Sequence, residues 1–493
     1  MSDFANPNTI FAGILVLLVM QGSLPVLAGL FQFVLLAFSY FHTHAERTKP
    51  YWPRVSVLIP AWNEDAVIGV TIDRLMTLDY PTDALRVYLI DDGSSDDTPR
   101  IAIEKSKEYP GRVIHIRRVA GGEGKAHTLN YGLEVLWLNA WTEAVLIMDA
   151  DVIYTPGSLK RMARHLTDPE IGAVTAYIKE GSKSPNYVQR FVTFEYVTAT
   201  GGSRRAQNVL GFLACLSGGA QLHSRENLQA IGGKIFSETL AEDTFTTFRT
   251  QMHGRKAIFE PHAIVYAEEP DSLVGLWKQR VRWARGNVQI TGVFRQLWGN
   301  AGAHPTMGSW GMVFLWFTIF LMPVIQIAAS LGLISLFFLD EPLAWRVFNA
   351  MWLIAGIVYL VVTLVSYAID WESCRKSWAE GILFPGLVSL AVIANSLFPP
   401  LFTPLADAVG WDSHPDMRSG VTLFLYSWLS LSMAFAYAAK EIEARGYVKT
   451  ATLVLYLAGY GPFLCAVTFG AYVKELRGAS MSWDKTVKTG KVT

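Results

Sequence analysis

The chain has 493 residues, enough for at least two domains, and its 42 basic and 42 acidic side chains leave no net charge. This balance gives no reason to expect nucleic acid as a partner. Hydrophobic residues make up 51% of the chain and charged residues 17%, which excludes a disordered or fibrous protein.

Several long stretches carry no charged residue. They are 4–45, 296–339, 347–369, 381–406, 421–439 and 451–473. A membrane-spanning helix needs about 20 apolar residues, so we predict a membrane protein with one soluble domain. The predicted division is a membrane anchor over 1–45, a soluble domain with interfacial helices over 46–300, a transmembrane region over 301–474 and a tail over 475–493.

The flanks of the apolar stretches predict the topology. No basic region precedes the first stretch and no small-residue cleavage site follows it, so an uncleaved anchor is expected. Arg47, Lys49 and Arg54 come next, and such a basic flank favours a cytoplasmic soluble domain. Prolines interrupt 380–406, so we expect an interfacial or re-entrant segment there. The basic tail is expected in the cytoplasm.

In the soluble domain, short apolar runs alternate with stretches of helical spacing. The runs 55–60, 87–90, 113–116 and 144–148 are typical of buried parallel strands, and 67–78 and 125–138 are typical of helices. This alternation predicts a Rossmann-like βαβ series, in which ligands lie beyond the carboxyl ends of the strands.

Asp149 and Asp151 stand one residue apart directly after the fourth of these strands. Two carboxylates on such a turn can hold a hard divalent cation, which prefers oxygen ligands. A cation there neutralises the charge of a departing diphosphate. An ordinary acidic turn has the same residues, so the pattern alone leaves both interpretations open.

Five motifs occur in order along the chain: VSVLIPAWNE, LIDDGSSDDT, MDAD, AED and QRVRW. In this order and spacing they resemble the family 2 glycosyltransferases of the GT-A fold, and in particular the processive synthases of cellulose, chitin and hyaluronan. The resemblance covers about 54–290 and the membrane segments on both sides. It implies an α/β GT-A (Rossmann-like) catalytic domain joined to an all-α transmembrane helix bundle.

The resemblance implies a UDP-sugar donor, with Mg²⁺ or Mn²⁺ as the cofactor held by Asp149 and Asp151. A carboxylate and an aromatic ring suit uracil, which offers one imide donor and a flat face, and a lysine reaches a phosphate as a point charge. The implied nucleotide-binding residues are Pro60, Trp62, Glu64, Asp92, Lys125, Asp149 and Arg282. A half-buried structural tryptophan and a solvated lysine are the alternatives for Trp62 and Lys125.

Glu242 and Asp243 follow Ala241, where the family usually has threonine. An acceptor hydroxyl must lose its proton as it attacks the anomeric carbon, and a positioned carboxylate takes that proton as a general base. The resemblance implies that Asp243 is this base, with Glu242 as its neighbour. A single displacement with inversion then turns a UDP α-sugar into a β-linkage. The alternative is an acidic helix N-cap.

The segment 279–283 fits the family signature Q-x-x-R-W, in which the tryptophan gives a sugar ring a flat face and the glutamine can hydrogen-bond to it. A small-residue segment, LSGG, resembles the one that shapes the acceptor pocket. The implied acceptor-binding residues are Ser217, Gly218, Gln279 and Trp283. An interface helix with snorkelling side chains and a plain glycine turn are the alternatives.

The tail contains the sequence WDKTVK, which resembles the gating loop of cellulose synthase. Trp483, Thr486 and Lys488 match its aromatic-x-x-Thr-x-Lys pattern, with tryptophan in place of phenylalanine. Such a loop folds over the bound donor. A basic tail on anionic lipid is the alternative.

Together these features predict a processive inverting glycosyltransferase of a bacterial cell membrane, with its catalytic domain in the cytoplasm. It transfers a sugar from UDP-N-acetylglucosamine or UDP-glucose to a growing β-linked polysaccharide and moves the polymer across the membrane. Membrane lipid is the other expected partner. One alternative is a non-processive enzyme that glycosylates a lipid carrier, and the second is a transporter or scaffold with an inactive transferase domain.

Overall fold

The structure, a computed structural model, describes residues 7–39, 49–401, 403–408, 414–481, 490 and 492. It divides into two compact units, each described here by itself. The helical unit comprises Met1–Phe33, Ser272–Ala284 and Val313–Gly478. The sheet unit comprises Val34–Asp271, Arg285–Met312 and Ala479–Thr493.

The described strands form one eight-stranded mixed sheet in the order β3-β2-β1-β4-β7-β6-β8-β5. The strands are β1 (Val55–Ala61), β2 (Leu85–Asp91), β3 (Val113–Arg117), β4 (Ala144–Ile147), β5 (Ile153–Tyr154), β6 (Ile171–Glu180), β7 (Gln221–Ser224) and β8 (Lys256–Ala267). β1 pairs in parallel with β2 and β4, and β2 pairs in parallel with β3, which confirms the predicted Rossmann-like half. β7 runs antiparallel between β4 and β6.

The helices alternate with the strands and then continue alone. Those up to the end of the sheet are α1 (Pro7–Met20), α2 (Leu24–Ser39), α3 (Ile68–Met76), α4 (Thr98–Glu108), α5 (Lys125–Trp137), α6 (Ser158–Ala163), α7 (Tyr187–Glu195), α8 (Ser203–Leu210), α9 (Arg225–Ala230) and α10 (Glu242–Met252). Those that follow are α11 (Leu273–Val293), α12 (Trp310–Phe320), α13 (Met322–Leu339), α14 (Glu341–Ile369), α15 (Trp371–Lys376), α16 (Trp378–Ile382), α17 (Leu387–Leu397), α18 (Thr403–Ala408), α19 (Pro415–Ala444) and α20 (Tyr460–Leu476). Tyr196–Gly202 and Leu453–Ala458 are π-helical.

The core of the sheet unit lies on both faces of the sheet. Val57 and Ile59 point to one face and pack with Ile72 of α3, whereas Leu58 points to the other face and packs with Leu133 of α5. Helices therefore cover β1 on both sides, which explains its continuous apolar sequence. The carboxyl ends of the parallel strands remain at one edge, and the acidic motifs follow them there.

Four helical stretches of the described chain are long and apolar enough to cross a membrane: Pro7–Ser39, Met322–Leu339, Glu341–Ile369 and Pro415–Ala444. In the first of them α1 and α2 are joined by a single 3₁₀ turn. Within the helical unit, α13 packs against α1, α14 and α19. Arg418 at the start of α19 forms an ion pair with Glu341 at the start of α14, so these two helix ends lie together.

Residues 378–397 run back along α14 in antiparallel order. Tyr359 donates to the carbonyls of Gly381 and Ile382, and Ser396 donates to Asn349, which lies about 15 Å along α14 toward its start. This path along α14 favours a crossing by 378–397 over the interfacial or re-entrant segment expected for 380–406, and that expectation stays a prediction. The break between α16 and α17 is tolerated because neighbouring side chains satisfy the freed carbonyls, which lets a divided stretch follow a full helix.

Residues 450–476 instead form a hairpin. It starts near the end of α19 and returns to the same end of the helical unit, near the start of α13. Thr450 donates to Ala439 near the end of α19, and Tyr472 of α20 donates to Phe320 just before α13. Gly459 forms the tip, with φ +105°, and meets the break before α17, where the Tyr460 amide donates to Phe384 O at 2.9 Å.

Candidate active site

A cluster of charged side chains lies at the carboxyl ends of the parallel strands. Lys125, the first residue of α5, places its Nζ 2.6 Å from Asp149 Oδ1 and 3.3 Å from Glu242 Oε1, and it donates to Gly218 O at 3.2 Å. Asp149 follows β4, Glu242 begins α10 and Gly218 precedes β7. The structure thus brings together residues from four separate motifs.

Gly218 and Gly219 let the backbone approach the acidic residues closely. A Cβ on Gly218 would lie 3.1 Å from Asp243 Oδ2 and 3.2 Å from Lys125 Nζ. A Cβ on Gly219 would lie 3.2 Å from Asp149 Oδ2. Side chains at these two positions would crowd the carboxylates, so glycine is what allows the backbone to approach them this closely.

The electrostatics of the cluster centre on Lys125. Burial favours the neutral amine and by itself lowers the pKa of Lys125, but the carboxylates of Asp149, Glu242 and Asp243 outweigh burial and raise that pKa above its ordinary value. Lys125 is therefore a fixed positive charge at neutral pH, suited to a phosphate.

Asp243 lies half-buried in the first turn of α10, and its Oδ1 accepts from the Thr244 amide at 2.6 Å. Glu242 beside it is buried. Ala241 precedes both, and a Cβ on Gly286 would lie 2.5 Å from the Ala241 side chain. The larger threonine that the family usually has would leave even less room here, which accounts for the small residues at both positions.

The loops after β1 and β2 form the neighbouring part of the site. The Asn63 amide donates to Ser94 Oγ at 2.9 Å, and the Glu64 amide donates to Thr98 Oγ1 at 2.7 Å, so the two loops hold each other. Pro60 lies in β1, and Trp62 is 43% exposed. An exposed indole on a fixed loop is suited to stacking on a base.

Asp91 and Asp92 differ in their surroundings. Asp91 is fully buried and its Oδ1 accepts from the Ser94 amide at 2.8 Å, which fixes the turn. Asp92 forms an ion pair with Arg118 and accepts from the Gly122 amide at 3.0 Å. Each oxygen of Asp92 keeps a second lone pair for a donor on a bound base.

The residues present fit a divalent cation. Asp149 and Asp151 flank Ala150 directly after β4, and Lys125 shows that a positive charge is already stable against Asp149. No group of three or more His, Cys, Asp or Glu side chains suited to a metal occurs within the described residues. Two carboxylates suffice for Mg²⁺ or Mn²⁺ when phosphate oxygens and water complete the shell.

The Q-x-x-R-W residues lie on α11, within its helical-unit part. Gln279 Oε1 accepts from Arg280 Nη1 at 2.6 Å, and the Arg280 guanidinium stands 4.1 Å from the centre of the Trp283 ring. Trp283 is 37% exposed. Arg282 lies between Arg280 and Trp283 on the same helix. One ring face of Trp283 is thus used by Arg280, and the ring remains accessible.

The candidate gating residues Trp483, Thr486 and Lys488 lie outside the described residues. The chain on both sides is held by the sheet unit. Arg285 donates to the carbonyls of Ala479 and Ser480, and the Gly490 amide donates to Glu268 Oε2 at 3.1 Å.

Sequence reasoning missed two arginines. Arg118 pairs with Asp92, and Arg204 donates to Ser217 Oγ. Neither belongs to one of the five motifs, and no spacing in the sequence links them to their partners. The three glycines and one acid of 121–124 are the sequence signal that marks the surroundings of Arg118.

Comparison with known families identifies the sheet unit. Residues 53–286 match the family described as Glycosyltransferase like family 2. The chain contains a family 2 glycosyltransferase domain. The matched range includes every strand of the sheet, and the glycosyltransferase domain has the GT-A architecture.

Two curated relatives each match about half of this chain. A poly-beta-1,6-N-acetyl-D-glucosamine synthase of Staphylococcus epidermidis is 28% identical over 245 residues, which cover 50% of this chain and 56% of the relative. A beta-monoglucosyldiacylglycerol synthase of Synechocystis sp. is 32% identical over 243 residues, covering 49% of each chain. The chain spans about half the length of these relatives.

A solved structure of a mannosyltransferase from Pyrobaculum calidifontis, in complex with GDP-Man and Mn²⁺, superposes with a TM-score of 0.49 at 21% identity. The superposition covers 77% of this chain and 99% of the mannosyltransferase.

Proposed function

We propose that the protein is a processive, inverting glycosyltransferase that moves a sugar from a UDP-sugar to a growing β-linked polysaccharide and passes the polymer across the membrane. The observation that carries the proposal is the cluster of Lys125, Asp149, Glu242 and Asp243 around Gly218. It combines a phosphate-binding cation, a metal-binding carboxylate and a base in one place.

The donor binds across the loops after β1, β2 and β4. Trp62 and Asp92 take the uracil ring, with Pro60 and Glu64 beside them, and Lys125 takes the diphosphate. A divalent cation bound by Asp149 and Asp151 supplies charge neutralisation to the diphosphate. Arg282 is the second cationic group proposed for the diphosphate.

The transfer step is a single displacement. Asp243 accepts the proton of the acceptor hydroxyl, the hydroxyl oxygen forms a bond to the anomeric carbon, and the bond from that carbon to the diphosphate oxygen breaks. UDP leaves with the bonding electron pair. Because the attack comes from the face opposite the leaving group, an α-linked donor gives a β-linked product.

The acceptor lies against Gly218 and Gly219, with Ser217 alongside. Trp283 and Gln279 hold its terminal sugar, which keeps the polymer bound between additions. Of the two candidate donors, the similarity to the staphylococcal synthase favours UDP-N-acetylglucosamine. The apolar helices and basic flanks favour a bacterial cell membrane with the catalytic domain in the cytoplasm.

The similarity to the cyanobacterial synthase favours a second candidate, in which the acceptor is a lipid and a single sugar is added. The two candidates share the donor site and the base. They differ in product length, because only the processive enzyme repeats the transfer on its own product.

The test uses the full chain purified in detergent with Mg²⁺ or Mn²⁺ and a panel of nucleotide sugars. Release of UDP from one UDP-sugar, a β-linked polymer and loss of both in excess EDTA are the expected results. Single-sugar lipid products would replace the proposal with the second candidate. An absence of nucleotide release from every donor would exclude both.

A further inference from the structure

Two adjacent arginines at the start of α8 share an aromatic neighbour but donate to different groups. The Arg204 guanidinium donates to Ser217 Oγ and stands 6.0 Å from the ring centre of Phe259. Arg205 donates to Gly201 O at 2.6 Å and stands 5.8 Å from the ring centres of Phe259 and Tyr177. α8 follows the π-helical segment Tyr196–Gly202, a kind of irregularity frequent at functional sites.

Arg204 holds the segment that carries the glycines of the site. The amide of Ser217 donates to Thr175 Oγ1 at 3.0 Å, and the amide of Leu216 donates to Thr247 Oγ1 at 2.8 Å. Strand β6 and helix α10 therefore fix the backbone. The Ser217 hydroxyl has Arg204 as its side-chain partner in the described part of the chain.

The segment 217–219 lies close to Asp243, the proposed base. Gly218 follows Ser217, and a Cβ there would lie 3.1 Å from Asp243 Oδ2. Among the described residues, Ser217 is the hydrogen-bond partner of the Arg204 guanidinium. A guanidinium carries five N–H donors, so Arg204 retains donors beyond the one that Ser217 accepts.

We propose that Arg204 is a positioning residue for the acceptor. It fixes the Ser217 hydroxyl and thereby holds the segment 217–219 in place. The acceptor lies against this segment with its hydroxyl toward Asp243. The inference rests on the proposed glycosyl transfer and adds a residue that none of the five motifs contains. It follows that loss of Arg204 impairs transfer of the sugar to the acceptor but not binding of the donor.

The experiment compares Arg204→Gln, Ser217→Ala, the double variant, Arg204→Lys and the matched control Arg205→Gln in the purified full chain. Two quantities are measured with the preferred UDP-sugar: the rate of sugar incorporation and the rate of UDP release. Misplaced reacting groups can cost about 100-fold in rate. We expect Arg204→Gln to lower incorporation about 10- to 100-fold while the KM for the donor stays within about twofold.

The other variants separate positioning from folding. Ser217→Ala should lose transfer as Arg204→Gln does, and the double variant should be no worse than either, because both remove one hydrogen bond. Arg204→Lys, which keeps a donor, should recover incorporation to within about threefold of the wild type. Arg205→Gln should stay within about twofold of the wild type.

Equal loss in Arg204→Gln and Arg205→Gln, or additive losses in the double variant, would overturn the inference. So would a rise in the donor KM that matches the loss of incorporation. A wild type that releases UDP from no UDP-sugar would instead contradict the proposed function, so the two failures are distinguishable.

Discussion

At the scale of the residue, Asp243 and Lys125 lie in one cluster but have different proposed roles. Lys125 lies against three protein oxygens, and the Asp243 carboxylate accepts from the Thr244 amide in the first turn of α10. We propose that Asp243 acts on the acceptor as a base, and that Lys125 acts on the donor diphosphate as a positive charge. The donor and acceptor functions should therefore separate by mutation.

Asp243→Asn should lower sugar transfer by about 10²–10⁴-fold and leave UDP binding within about twofold, because an amide cannot take the acceptor proton. Transfer is measured by incorporation of labelled sugar, and UDP binding by calorimetry. Glu226→Gln, which changes an exposed acid in the first turn of α9, is the matched control and should behave as wild type. Near wild-type transfer by Asp243→Asn would remove Asp243 from the base position.

At the scale of the element, the ends of β6 and β8 bring three acids together. Glu180 ends β6, and Glu268 and Glu269 follow β8. Burial is the main cause that raises the pKa of Glu180 from 4.5 to about 7, and the two neighbouring carboxylates add to it. The hydrogen bond from the Ser182 amide opposes this shift.

Glu180→Gln should therefore stabilise the protein at pH 8 and leave it unchanged at pH 5. Because the folded-state pKa lies above the unfolded value, the stabilising contribution of Glu180 is complete below about pH 4.5 and is lost as the pH rises through about 7. A neutral glutamine escapes this loss, a gain of roughly 1–3 kcal/mol at pH 8. Thermal unfolding at both pH values measures it.

The control for this prediction is Glu170→Gln. Glu170 immediately precedes the other end of β6 and pairs with Lys256 on the surface, so it should show no pH-dependent gain. An equal change in Glu180→Gln at pH 5 and pH 8 would show that Glu180 is not protonated in the folded protein.

The helical hairpin makes a second prediction at this scale. A Cβ on Gly459 would lie 2.3 Å from Pro385 O, and the φ of +105° is strained for other residues. Gly459→Ala should thus destabilise the helical unit by at least about 1–3 kcal/mol, the usual cost of overpacking. Gly461→Ala, with open space around its Cβ, is the matched control. Equal melting temperatures of the two variants in detergent would contradict the close approach.

The parallel half of the sheet could be predicted from the sequence because its strands are apolar and covered on both faces. β7 could not, since its sequence is QLHS. His223 and Gln221 are buried there and hydrogen-bond to each other at 3.1 Å. Burial lowers the pKa of His223 to about 3, so the ring is neutral in the core. Partners of this kind exist only after folding, which hides such a strand from a search for apolar runs.

The same reason limits what the sequence says about the site. Asp149 and Asp243 could be named because each lies in one of the five motifs, and Lys125 because it begins a predicted helix. Arg204 could not, because its partner Ser217 is brought to it by the fold. For 380–406, prolines correctly mark broken helices, but the side chains that satisfy the break, such as Tyr359, lie elsewhere in the chain.

At the scale of the whole molecule, the helix contacts predict the membrane topology. α13, α14, the divided stretch 378–397 and α19 run in alternating directions, whereas 450–476 returns to the end where it starts. We therefore expect four crossings after the glycosyltransferase domain, with the tail and that domain on the same side of the membrane. Basic residues near these ends, such as Arg375, Lys449 and Lys474, favour the cytoplasm for this side.

Two exposed positions distinguish this topology from a rival one. In the rival topology 450–473 crosses the membrane and 380–406 does not cross it. Met417, beside the ion pair of Arg418 with Glu341, should face outside, and Tyr447, in the turn after α19, should face the cytoplasm. The rival topology places both positions on the opposite sides.

We expect Met417→Cys, in a chain whose three native cysteines are replaced by serine, to react with a membrane-impermeant thiol reagent in intact cells. Tyr447→Cys and Ser480→Cys should react only after permeabilisation, and labelling of Tyr447→Cys from outside would show that the hairpin spans the membrane.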